Sequence, residues 1–97
     1  MSKPYIAPTH PGEVLKTLYL DEINMSAGKL AKELGVPRSR IERVVECTHT
    51  LSPNTAIRLA KFFDTTPQFW LNLQTNYDIH MAEKDVDVSG IRTFVDA

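Results

Sequence analysis

The stretch Ser26–Glu46, SAGKLAKELGVPRSRIERVVE, decides how the chain folds. It predicts two short helices joined by a tight corner at Gly35-Val36-Pro37, because apolar residues recur at the i, i+3, i+4 spacing of an amphipathic helix. The apolar positions are Leu30, Ala31 and Leu34 in the first helix, and Ile41, Val44 and Val45 in the second. Ser26 suits the N-cap of the first helix, and Gly35 suits the left-handed conformation that ends helices. The pattern predicts a helix-turn-helix.

The second helix of this unit is predicted to present polar side chains away from the core. These side chains are Arg38, Ser39, Arg40 and Arg43. Arginine can bind guanine through two hydrogen bonds, worth about 1–3 kcal/mol of discrimination, and a hydroxyl near a helix N-terminus can meet phosphate. We therefore expect this helix to enter the major groove of DNA. The alternative is that the same residues form the solvated face of a structural helical hairpin.

The net charge of the 97 residues is only −1, but the charges are unevenly distributed. Residues 26–46 hold five Lys or Arg against three Asp or Glu, whereas residues 64–97 hold six acids against two cations. A basic middle and an acidic end indicate two faces with different partners. Scattered solvated charge is the alternative interpretation.

Composition places the chain among single-domain globular proteins, with 42% hydrophobic and 24% charged residues. Apolar runs are shorter than the roughly 18–20 residues that span a bilayer, so no membrane association is expected. The N-terminal sequence lacks the apolar segment of a signal peptide, and one cysteine fits a reducing compartment. We predict a cytoplasmic protein.

Helix start signals divide the rest of the chain. Pro11 can open a helix, and both Ser52-Pro53 and Thr66-Pro67 combine a capping hydroxyl with proline at the first helical position. Together with the central pair, these signals predict an all-α, compact five-helix domain over residues 10–79. Residues 1–9 are interpreted as an N-terminal arm, and residues 80–97 as a short acidic C-terminal tail. Within that tail, Asp85–Val88 alternates with period two, so a short strand and a mobile segment are both open.

The predicted last helix carries a large apolar face formed by Phe69, Trp70, Leu73 and Tyr77. Aromatic residues at helical spacing are more typical of a core or a dimer surface than of a ligand site. If part of this face is exposed, a symmetric dimer would cover it.

No catalytic or metal site is predicted, and no cofactor is expected. His10, Cys47, His49 and His80 lack the spacing of a zinc site or of a Cys-His nucleophile. A thiol at Cys47 that senses oxidation near the DNA face is a minor alternative. The chain is therefore expected not to be an enzyme.

Three segments resemble the HigA/VapI-type antitoxins, which belong to the Xre/Cro-like helix-turn-helix repressors. They are HPGEVLKTLYL, SAGKLAKELGVPRSRIERVV and LSPNTAIRLAKFFDTTPQFWLNLQTNYD, which together span about residues 10–79. The opening His10–Glu13 and the block Pro67–Gln74 are the most specific pieces, because generic Cro-like repressors match the middle but not these ends.

The resemblance implies a lambda-repressor-like domain with two roles. The protein would neutralise a cognate HigB-like toxin, a ribosome-dependent mRNA-cleaving ribonuclease. It would also repress its own operon as a homodimer on a palindromic double-stranded operator. The family's DNA-reading positions correspond to Arg38, Ser39 and Arg43, with Arg40 on the flank. The predicted DNA-binding set also includes Ser26, and Thr48 as a substitute phosphate contact after the second helix.

The sequence departs from the family pattern at two places. Ala27 replaces a glutamine that often contacts DNA, and Glu46-Cys47-Thr48 replaces the Asn-Gly-Lys/Arg turn that holds phosphate. These departures leave open a protein-binding module with weakened DNA binding. A separate alternative is a stand-alone regulator without a toxin, which depends on whether an adjacent reading frame encodes a small basic ribonuclease-like protein.

Overall fold

The computed structural model describes residues 8–95, which form five consecutive helical segments. The first, α1, begins as an α-helix over Pro11–Val14 and continues as a π-helix over Leu15–Leu20. The others are α2 (Ala27–Leu34), α3 (Arg38–Val45), α4 (Pro53–Phe63) and α5 (Pro67–Glu83). This order confirms the predicted all-α, five-helix fold.

The predicted helix starts are confirmed by capping hydrogen bonds. In each of α2, α4 and α5 the cap hydroxyl accepts a hydrogen bond from the backbone N–H three residues later, which satisfies one of the free donors of the first turn. The bonds join Ser26 and Lys29 (3.1 Å), Ser52 and Thr55 (3.3 Å), and Thr66 and Phe69 (3.1 Å). Helix α3 has Pro37 as its N-cap without a capping side chain.

One apolar core joins all five helices. Trp70 is its largest side chain, fully buried, and its indole N–H donates to the Thr65 hydroxyl at 2.9 Å. The rings of Tyr19 and Phe63 pack beside it, with centroids 5.1 and 6.5 Å from that of Trp70. Further buried members are Leu15, Leu20, Leu30, Ala31, Leu34, Ile41, Val44, Leu51, Ala56, Leu59 and Ala60. The apolar stripes predicted for α2 and α3 therefore face inward, except that Val45 is half-buried.

Helix α1 approaches the end of α3 at Gly12. A Cβ atom at this position would lie 1.7 Å from the Val44 carbonyl oxygen, so no side chain fits there. The preceding His10 caps α1, since its Nδ1 accepts a hydrogen bond from the Gly12 N–H at 2.9 Å. The opening His10–Glu13 motif thus fixes α1 against the last turn of α3.

The C-terminal helix is longer than the sequence predicted. Helix α5 continues to Glu83, so it extends four residues into the predicted tail that begins at His80. Residues 84–95 are exposed and contain no strand, and the strand alternative at Asp85–Val88 is not found. The predicted N-terminal arm, residues 1–9, lies outside the described residues except for Pro8 and Thr9.

Candidate nucleic-acid interface

The corner between α2 and α3 has the geometry of a helix-turn-helix. Gly35 adopts a left-handed conformation with φ of 72°, and the Val36 N–H donates to the Ala31 carbonyl at 3.0 Å. This bond belongs to the C-terminal cap of α2, in which the Gly35 N–H also donates to the Ala31 and Lys32 carbonyls. Ala31 is almost fully buried, and its small side chain suits the close contact between the two helices. The corner holds α3 against α2 and leaves one face of α3 exposed.

The free face of α3 carries the four predicted polar side chains. Arg38, Ser39, Arg40 and Arg43 are all exposed, whereas Ile41 and Val44 are buried. The segregation follows from the helical period, because the two buried positions are three residues apart and the arginines occupy the remaining sides of the helix. Three guanidinium groups therefore lie on the exposed face of α3.

Arg38 is oriented within α3 by an ion pair. Its Nε donates to the Glu42 Oε2 at 2.7 Å across one helical turn. Gly28 lies beneath it, where a Cβ atom would be 3.3 Å from the same Nε. Exposed pairs at this spacing stabilise a helix by only about 0.3–0.5 kcal/mol, so the pair serves mainly to direct the guanidinium. The two terminal NH₂ groups of Arg38 stay available for a ligand.

A groove of about 460 Å³ runs between α3 and the start of α4. Its walls combine cationic, hydroxyl and amide groups, which are the group types that contact phosphate and sugar in protein–DNA complexes. The polar lining residues are Ser39, Arg40, Arg43, His49, Thr50, Ser52, Asn54 and Thr55. Ser39, Arg40 and Arg43 were predicted site residues, whereas Asn54 was not.

Thr48 lies in the turn that follows α3. Its hydroxyl donates to the Arg43 carbonyl at 3.1 Å, and its backbone N–H donates to the same oxygen at 3.0 Å. Cys47 precedes it with φ of 62°, the left-handed conformation that glycine usually supplies. The turn therefore keeps the shape of a glycine turn without glycine, although Glu46 leaves an exposed carboxylate beside it.

Ser26 and Thr48 both have structural partners. The Ser26 hydroxyl is engaged as the N-cap of α2, and the Thr48 hydroxyl is engaged at the end of α3. Both residues are exposed. Neither belongs to the groove lining, and the structure does not bring them together with Arg40.

The aromatic set of α5 divides between core and surface. Trp70 belongs to the core, whereas Phe69 is 38% exposed and Leu73 and Tyr77 are half-buried. The Tyr77 ring meets the His10 imidazole edge-on, with centroids 5.0 Å apart. These four residues thus do not form one continuous exposed face.

Gln74 is a structural residue that the sequence analysis missed. It is buried, its Oε1 accepts a hydrogen bond from the Leu51 N–H at 2.8 Å, and its Nε2 donates to Asp78 at 2.9 Å. The loop between α3 and α4 is thereby fixed to α5. In the sequence, the only indication of this role was the position of Gln74 at the end of the Pro67–Gln74 block that resembles the family.

Two titratable groups near this loop have shifted pKa values. Burial lowers the pKa of His10, against the opposing effects of a backbone hydrogen bond with His49 and the charge of Asp78. Burial and the charge of Glu13 raise the pKa of the Cys47 thiol, which lowers its thiolate content and argues against an oxidation sensor. Within residues 8–95, no group of three or more His, Cys, Asp or Glu side chains could hold a metal ion.

The fold and the exposed cationic face of α3 define a DNA-binding helix-turn-helix domain. A family model described as helix-turn-helix matches residues 15–70. The chain belongs to this family, and within it to the HigA/VapI-type antitoxins that the sequence resembles. Family membership agrees with the prediction that the protein is not an enzyme. None of the described helices is long and apolar enough to cross a membrane.

Three similar proteins illustrate this membership. Virulence-associated protein I of Dichelobacter nodosus is 46% identical over 76 residues, covering 78% of this chain and 70% of its own. A HigA-family addiction module antidote protein from Coxiella burnetii is 44% identical, with a TM-score of 0.75. The match covers 84% of this chain and 98% of that protein. Pseudomonas aeruginosa PA4674, solved with its 18-base-pair operator DNA, is 32% identical, with a TM-score of 0.87. The match covers 94% of this chain and 100% of PA4674.

Proposed function

We propose that this protein is a cytoplasmic antitoxin that represses its own operon by binding operator DNA. The observation that carries the proposal is the exposed cationic face of α3, held by the corner at Gly35 in a chain that belongs to the HigA/VapI family. PA4674, which shares the fold along nearly its whole length, was solved on its operator. If the α3 arginines formed only the solvated face of a structural hairpin, α3 would not need the geometry of a helix-turn-helix.

The residues of α3 and its flanks have separate roles in this proposal. Arg38, Ser39 and Arg43 read base edges in the major groove, where a bidentate arginine distinguishes guanine from the other bases. Arg40 binds phosphate beside the groove between α3 and α4. Ser26 and Thr48 contribute phosphate contacts through exposed groups at the start of α2 and the end of α3.

We further propose that the protein acts as a homodimer on a palindromic operator. The exposed apolar surface at the end of α5 supports this, since Ile79 is 52% exposed and lines a cleft with Val86 and Val88. Phe69 adds a second exposed apolar side chain on the same helix. A dimer on such an operator needs its two α3 helices about 34–36 Å apart, so that they enter successive major grooves.

Family membership supports a second role, neutralisation of a HigB-like mRNA-cleaving toxin by direct binding. The acidic residues that follow α5 suit contact with a basic partner. The test is to co-express the chain with the product of an adjacent reading frame and to measure growth rescue and complex formation. Rescue without a stable complex, or the absence of a toxic neighbour, would favour a stand-alone regulator instead.

The DNA-binding proposal is tested by titrating the protein against the region upstream of its own reading frame. We expect a specific complex that weakens about 10³-fold or more between 50 and 200 mM salt, because phosphate neutralisation releases counterions. Arg38→Ala combined with Arg43→Ala should abolish specificity, whereas Arg92→Ala removes the same kind of charge outside α3 and should not. Equal binding to unrelated DNA would favour a protein-binding module.

A further inference from the structure

A continuous set of hydrogen bonds connects the end of α2 to the groove beside α3. The Arg58 Nη1 donates to the Leu34 carbonyl at 2.6 Å, and its Nε donates to the Asn54 Oδ1 at 2.9 Å. The same Asn54 oxygen accepts a second bond, from the Arg40 Nη1 at 3.1 Å. One amide therefore joins an arginine of α3 to an arginine of α4.

Arg58 is the fixed end of this set. The Leu34 carbonyl belongs to the last turn of α2, where backbone oxygens lack helical partners, and the guanidinium supplies the missing donor. Both the Nε and the Nη1 of Arg58 are engaged, so its planar group is held at two points. Asn54 is consequently held by a partner that is itself anchored to the helix-turn-helix corner.

The neutral amide has a particular advantage at this position. A carbonyl oxygen has two lone pairs, so Asn54 can accept from Arg40 and Arg58 together without offsetting the charge of either. An aspartate would hold the same two groups but would cancel one positive charge beside a polyanion. Arg40 uses one Nη for this bond, and its other N–H groups remain available in the groove.

We infer that Asn54 is a positioning residue for DNA binding, which holds the Arg40 guanidinium in the orientation that meets a phosphate. The inference rests on the proposed operator-binding function and adds a residue of α4 to it. An arginine oriented before the DNA arrives loses less side-chain freedom on binding, and preorganisation of this kind raises affinity without a new contact. Arg58 acts indirectly, because it orients Asn54, which in turn holds Arg40.

A double-mutant cycle measured by operator binding tests the inference. The proteins are the full chain and its Asn54→Ala, Arg40→Ala and doubly substituted variants, titrated against the duplex protected in a footprint of the wild type. Asn54→Ala should weaken binding about 5-fold in the wild-type background and leave it unchanged once Arg40 is absent. Arg40→Ala should lower the salt slope by about one, whereas Asn54→Ala should not change it. The matched control is Asn72→Ala, which changes an exposed asparagine on a different helix, α5, and should leave operator binding unchanged.

Each outcome decides the matter. Coupling with unchanged unfolding free energies supports the inference, because Asn54 is exposed and Ser52 provides the cap of α4. Additive losses, or no effect of Asn54→Ala, would overturn the inference while leaving the proposed function intact. Absence of specific binding by the wild type would overturn the proposed function and this inference together.

Discussion

Replacing Gly12 with alanine tests how α1 holds the recognition helix in place. The added Cβ would lie 1.7 Å from the Val44 oxygen, 2.7 Å from its carbonyl carbon and 3.1 Å from the His10 Nδ1. Two of these contacts are to backbone, which cannot rotate away, so α1 and α3 must separate. Overpacking of this kind typically costs about 1–3 kcal/mol, and we expect the upper end of that range.

Helix propensity acts in the opposite direction at the same position. Alanine is better than glycine inside a helix by roughly 1 kcal/mol, so propensity alone predicts a more stable protein. The steric term is larger, and the unfolding free energy of Gly12→Ala should fall by about 2 kcal/mol, with Tm lower by roughly 10 °C. Operator affinity should fall as well, since α3 moves with its contact.

Equilibrium urea unfolding followed by circular dichroism measures this difference. Gly90→Ala is the matched control, because no atom lies within 4 Å of the added Cβ and the residue is exposed. That control should stay within about 0.5 kcal/mol of the wild type. A Gly12→Ala protein as stable as the wild type would refute the close approach of α1 to α3.

Three further substitutions test the turn, the cap and the loop. Cys47→Gly should raise the unfolding free energy by about 0.5–1 kcal/mol in reducing buffer, because glycine adopts the left-handed conformation without strain; an unchanged or lower value would contradict the turn geometry. His10 has a lowered pKa and accepts a hydrogen bond at Nδ1, so the unfolded state binds more protons and wild-type stability should fall as pH drops below the ordinary value of 6.5. His10→Asn retains a capping oxygen and should show a smaller decline in the same pH titration; equal declines would contradict this role. Gln74→Ala leaves the buried Leu51 N–H without its partner and should lower the unfolding free energy by about 1–3 kcal/mol, measured by urea titration; a loss under 0.5 kcal/mol would contradict it.

Features that depend on neighbours in sequence were predictable from the sequence. The capping hydroxyls of Ser26, Ser52 and Thr66, the corner at Gly35 and the inward stripes of α2 and α3 all follow from local spacing. The outward position of the α3 arginines follows from the same period.

Features that depend on distant contacts were not predictable in this way. The link from Arg40 to Asn54 joins residues 14 apart, and the link from Leu34 to Arg58 joins residues 24 apart, so neither leaves a local pattern. The missing glycine of the Glu46-Cys47-Thr48 turn was visible in the sequence, but the left-handed conformation of Cys47 was not; local hydrogen bonds to the Arg43 and Val44 carbonyls hold it. These tertiary and capping bonds override the propensity of single residues.

The end of α5 was placed too early for a related reason. Residues after Ile79 lack an apolar stripe, which indicates a helix end only where burial stabilises the helix. Here the last turn continues to Glu83 with its side chains largely at the surface. The backbone hydrogen bonds of a long helix extend it beyond the part that the core stabilises.

The central claim is that α3 reads the bases of an operator, and a base-preference profile of Arg43→Ala tests it most directly. Wild-type and variant proteins are each titrated against every single-base substitution of the footprinted operator. We predict that the variant loses discrimination of about 1–3 kcal/mol at one symmetry-related position in each half-site, while the other positions keep their preference. A uniform loss of affinity with an unchanged profile would contradict base reading by Arg43.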